Sequence, residues 1–156
     1  MDERSGVDTL VVGCGNLMRG DDGVGPTVVR LLAERDLPDG VRLLDVGTAG
    51  MDVAFAMRGV RRVFLIDAAS MGATPGTVHR VPAEELVGLA PPAGDVHHLR
   101  WDEALGFARW LLADDHPDEV TVYLVEGAGF ELGAPLSAAV EAAAERVAGI
   151  IETRLR

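Results

Sequence analysis

The feature that most limits how this chain can fold is the run Leu10-Val11-Val12-Gly13-Cys14-Gly15-Asn16-Leu17-Met18-Arg19-Gly20-Asp21-Asp22-Gly23-Val24-Gly25-Pro26. A short apolar run reads as a buried strand, the glycine-rich stretch as a turn, and the residues from Val24 onward carry helical periodicity. Two adjacent carboxylates therefore stand where a strand hands over to a helix. In open α/β sheets that handover, at the carboxyl ends of the strands, is where ligands bind.

The same alternation continues along the chain. Strands are predicted at Thr9–Gly13, Val41–Val46, Arg62–Ala68, Thr77–Val81 and Val120–Val125, and helices at Val24–Arg35, Met51–Met57, His97–Ala113 and Leu136–Leu155. Pro82–Val87 reads as a further helical turn, and Leu37-Pro38-Asp39-Gly40 as a loop. A β-α-β-α-β succession implies a mostly parallel sheet covered on both faces. The fold class is α/β, a three-layer α/β/α sandwich whose five-stranded sheet has one antiparallel edge strand, with strand order beginning 2-1-3. The link from the third to the fourth strand is too short for a helical crossover, so those two are expected to pair with each other as an edge hairpin. At 156 residues, with no linker or repeat, the chain reads as one domain, 1–156.

Composition removes several functions. Net charge is −11, all 14 basic residues are arginine and there is no lysine. That excludes Schiff-base and P-loop lysine chemistry, and it argues against nucleic acid or an anionic membrane as partner. No stretch has the apolar length of a membrane span. One cysteine, Cys14, cannot make an internal disulfide, which fits a cytoplasmic protein.

Motifs narrow it further. Gly13-x-Gly15 invites a dinucleotide reading, but Met18 stands where the third glycine belongs, and Asp21 and Asp22 would repel a pyrophosphate. A phosphorelay receiver would share the acidic pair and Asp67, but it needs a lysine. A third reading joins Asp22, Asp67 and His97, two strand-end carboxylates and an imidazole that can face one rim as an open site for a divalent metal. The alternative is that the acids cap a helix and that His97 or His98 lies at a helix end or on the surface. Spacing alone leaves both open. No Gly-x-Ser-x-Gly elbow is present, and Cys14 has no paired base. His79 and His116 read as surface residues, and Trp101 and Trp110 as core or cleft wall.

Gly13-x-Gly15-Asn16-Leu17-x-x-Gly20-Asp21-Asp22-Gly23-Val24-Gly25 resembles the N-terminal signature of the [NiFe]-hydrogenase maturation endopeptidases. Asp45-x-Gly47-Thr48-Ala49-Gly50, Leu65-Ile66-Asp67-Ala68, Pro75-Gly76-Thr77 and Val96-His97-His98-Leu99 resemble its later blocks, in family order. The resemblance implies an endopeptidase that removes the C-terminal extension of a hydrogenase large-subunit precursor after nickel insertion. It implies metal contact through Asp22, Asp67 and His97, with nickel carried by the precursor and another divalent metal able to occupy the site in vitro. It also implies that Asp21 or Asp67 acts as general base and that Gly47, Thr48, Ala49 and Gly50 hold the substrate tail. Asp22 stands where the family often has Glu, one methylene longer, and His98 follows His97 where Gln is found; the motif position selects His97. The other reading is a non-catalytic metal- or precursor-binding module on the same fold.

Overall fold

The structure, a computed structural model, describes residues 6–47, 50–86 and 112–156. Within them one five-stranded sheet has the order β2-β1-β3-β5-β4. Its strands are β1 (Thr9–Cys14), β2 (Val41–Gly47), β3 (Arg62–Ala69), β4 (Val78–Pro82) and β5 (Glu119–Glu126). β2, β1, β3 and β5 run parallel and β4 is antiparallel. The helices are α1 (Val24–Ala33), α2 (Gly50–Ala56), α3 (Ala83–Leu86) and α4 (Ala138–Leu155). The expected class and the 2-1-3 start are both present. The helix expected over His97–Ala113 lies outside the described residues but for its end, where Leu112 is buried and Ala113–Asp115 form a 3-10 turn.

Strand alternation sorts the core into two halves. Val11, Phe64, Ile66, Tyr123 and Val125 face α1 and α4, against Val28, Leu32, Val147 and Ile151. Leu10, Val12, Cys14, Val63, Leu65, Val122 and Leu124 face the other way, against Val53 and Met57 of and beyond α2. β1 is buried along its whole length, which is why it reads as an unbroken apolar run rather than an alternating one. By the same alternation Asp67, two residues after Leu65, leaves β3 on the α2 side, the side of Cys14.

One pairing differs from expectation. β4 is the antiparallel edge strand, but its partner is β5, from Val78↔Val125 to Pro82↔Thr121, and not β3. β3 is occupied on its far side by β5, in register from Arg62↔Glu119 to Ala69↔Glu126. The 70–77 link therefore steps over the end of β5. Glu126 holds it there. Its buried carboxylate accepts from Met71 N and Gly72 N at 2.9 Å, while its backbone accepts from Gly76 N at 2.8 Å and donates to Thr77 O at 2.9 Å. The chemistry of that step is invisible in the link's own composition.

α1 is seated directly on the strand ends. A Cβ at Gly25 would collide with the Cys14 carbonyl oxygen and lie 2.6 Å from Ile66 O. Only glycine lets the first turn of α1 approach β1 and β3 this closely.

Candidate functional site

β1 ends at Cys14, and the chain then turns through Gly15–Arg19 into a 3-10 turn, Gly20–Gly23, that carries Asp21 and Asp22. Asn16 shapes the turn: its Oδ1 accepts from Met18 N at 2.8 Å, and its own backbone N–H donates to Asp22 Oδ2 at 2.9 Å. Asp22 is thus half-buried and aimed back over the turn toward the end of β1.

Asp21 points elsewhere. It is 1% exposed, and its carboxylate accepts from Ala128 N at 2.7 Å, Gly129 N at 3.3 Å, Ser137 N at 2.7 Å and Ser137 Oγ at 2.9 Å. Ser137 is the N-cap of α4, so the buried charge also sits at the positive end of a helix. Two neighbours with the same side chain have opposite uses: Asp21 ties the β5–α4 loop to the first turn, and Asp22 faces the rim.

Asp67 ends the apolar run of β3. It is 8% exposed, and its Oδ1 accepts from Ala68 N at 2.8 Å. Across the edge, Asp45 Oδ1 accepts from Gly47 N at 3.1 Å, and Gly47 O accepts from Gly15 N at 2.8 Å. Cys14 lies among these acids. Its thiol is pushed well above the ordinary cysteine range, first by burial and then by the negative charges of Asp67, Asp45 and Asp22. One sulfur therefore feels three carboxylates drawn from three separate stretches of sequence. The thiol stays protonated at neutral pH, which makes it a poor nucleophile.

Asp22 and Asp67 both act electrostatically on Cys14, at the end of β1. His97 and His98 lie outside the described residues, as do Thr48 and Ala49; Gly47 and Gly50 are described, at the end of β2 and the start of α2. Among the described residues no group of three or more His, Cys, Asp and Glu is arranged to hold a metal ion. His79, expected at the surface, is half-buried. It pairs in register with Leu124, whose side chain joins the α2-side core, and its Nε2 is enclosed without a hydrogen-bond partner among the described residues. His116 is half-buried, its Nδ1 2.9 Å from Pro117 O. Sequence reasoning passed over Glu126 and Ser137; the one available signal was a glutamate closing an otherwise apolar strand.

A family model described as hydrogenase maturation protease matches residues 26–154. The hydrogenase 2 maturation protease of Escherichia coli strain K12 is 32% identical over 138 residues, covering 87% of this chain and 83% of that protein. The hydrogenase expression/formation protein HupM of Azotobacter chroococcum is 32% identical over 129 residues, 81% of this chain and 61% of the relative. Among solved structures, the hydrogenase maturating endopeptidase HybD from E. coli superposes with a TM-score of 0.85 at 30% identity, over 96% of this chain and 93% of that one. The chain spans 54% of the length of one further curated relative and 61% of another.

Proposed function

The chain belongs to the hydrogenase maturation protease family, and from that membership we propose that it is the endopeptidase that trims the C-terminal extension of a [NiFe]-hydrogenase large-subunit precursor once nickel is in place. The observation that supports this reading is that Asp22, its carboxylate accepting from Asn16 N at 2.9 Å, and the buried Asp67 of β3 both bear on Cys14 at the end of β1. That end of the sheet is acidic, and its thiol is protonated and inert.

In this reading nickel arrives as part of the substrate. Asp22, Asp67 and His97 meet it, and the cation supplies polarisation of the nearby scissile carbonyl. Asp67 takes the proton of the attacking water and passes it to the departing amine. Asp21 does not compete for that role, because both its oxygens are already engaged by backbone and hydroxyl donors. Gly47, whose carbonyl accepts from Gly15 N, opens the Gly47–Gly50 stretch that holds the tail in this reading. The work is proposed to take place in the cytoplasm; no helix among the described residues is long and apolar enough to cross a membrane.

The test is incubation with nickel-loaded precursor, with loss of the tail read by intact-mass spectrometry. Cleavage by the native chain, abolished in Asp22→Asn, Asp67→Asn and His97→Ala but kept in His79→Ala, supports the reading. Tight binding of precursor with no cleavage would replace it by the non-catalytic binding module.

A further inference from the structure

Large apolar side chains stand in solvent on the same rim as the acids. Leu17 is 42% exposed, Met18 64% and Leu132 70%. The first two belong to the turn between β1 and Asp22, the third to the loop between β5 and α4. These loops are far apart in sequence but sewn together in space. Gly133 N donates to Met18 O at 2.7 Å, Gly20 N to Ala134 O at 3.0 Å and Asp21 N to Gly129 O at 2.9 Å, and the Asp21 carboxylate binds the same loop from inside. The exposed residues are therefore presented on pinned backbone. The fold gains nothing from holding them in water, and clustered apolar surface of this kind marks a contact site.

We propose that Leu17, Met18 and Leu132 form an apolar docking rim for the folded body of the precursor protein, as distinct from the tail that enters the acid site. The inference rests on the endopeptidase reading above. Two observations select this occupant. The first is continuity: Asn16, next to Leu17, donates to Asp22, and Leu17 Cδ2 lies 3.3 Å from the point a Cβ on Gly23 would occupy. Whatever covers the rim therefore stands over Asp22. The second is size. Three side chains make a contact far smaller than the roughly 800 Å² per partner in a stable dimer. That suits a partner that docks, is processed and leaves, not a second copy of the chain. Uncharged side chains also give a chain of net charge −11 a contact that does not depend on the partner's charge.

The experiment uses the full chain with nickel-loaded precursor and measures both binding and cleavage. The paired variant Met18→Ser with Leu132→Ser should weaken precursor binding and raise KM about tenfold. Its kcat should stay within about twofold of wild type, and its melting temperature should be unchanged, since neither side chain is buried. Ile150→Ser, an equally simple change at an exposed position of α4, should alter none of these. Unchanged binding and KM in the paired variant would overturn the proposal while leaving the endopeptidase reading intact. Wild-type binding without cleavage, weakened by the paired variant, would keep the rim and remove the peptidase. No binding at all would remove both. A concentration-dependent dimer in sedimentation, dispersed by the paired variant, would assign the rim to a second copy and overturn the proposal.

Discussion

Asp21→Asn separates a structural pin from a catalytic acid. In the native chain the carboxylate takes four donors: Oδ2 faces Ala128 N, Gly129 N and Ser137 Oγ, and Oδ1 faces Ser137 N. An amide is best accommodated with its oxygen toward the three donors. Its NH₂ then opposes the Ser137 N–H, and the 2.7 Å bond there becomes two donors facing each other. The loss of one charge-assisted bond, worth about 1.5–3 kcal/mol, is joined by weakening of the other three as the charge disappears. The position is 1% exposed, so water cannot relieve the mismatch. A cost of about 3 kcal/mol follows, which for a chain of this length lowers Tm by roughly 6–12 °C. Differential scanning calorimetry reads the shift, and amide exchange at Ala128 and Ser137 should speed up first. A variant that melts within about 1 °C of wild type but no longer cleaves precursor would refute the pin and return Asp21 to the chemistry.

Gly25→Ala should cost more than about 3 kcal/mol or prevent folding, because its Cβ meets backbone rather than a movable side chain; urea unfolding checks it. Cys14 should resist a thiol-specific disulfide reagent at pH 8 in the native chain and react at once in denaturant. Its raised pKa makes its contribution to stability complete below the unfolded thiol pKa and lost as pH rises through the folded value, and Cys14→Ala should flatten that alkaline decline. Glu152 is held below the ordinary glutamate range chiefly by its hydrogen bond from Arg35, so its contribution is present above the unfolded pKa and lost as pH falls through the depressed value. Arg35→Met should reduce that acid dependence in pH-resolved melts, leaving the smaller part due to Arg156.

The fold was legible where a residue's own neighbours decide its state. β1, β3 and β5 announce themselves as apolar runs, and α1 by Val24, Val28 and Leu32 on one face, all fully buried. Asp67 could be picked out as an acid late in an apolar strand, and Asp22 as one of a pair in the turn that follows β1. What the sequence hid was decided by distant partners. Nothing in Asp21-Asp22 says which acid turns inward; the answer lies in the backbone of Ala128, Gly129 and Ser137, more than a hundred positions away. The partner of β4 was misread for the same reason, since Glu126 had to be known as the post over which the 70–77 link passes. Polarity points His79 to the surface, whereas strand register pairs it with Leu124 and leaves it half-buried with Nε2 enclosed.

The β4–β5 pairing sets an order of assembly. β4 leaves β3 with no strand to join, because its partner is the later segment Thr121–Val125. As the chain emerges from the ribosome, Val78–Pro82 must wait until β5 has been made and laid against β3, and the 70–77 link can close only when Glu126 arrives to receive it. The edge of this sheet is thus a late event, delayed by the loop closure that non-local pairing demands. Pulse-labelled hydrogen exchange during refolding should find the amides of β1 and β3 protected before those of β4.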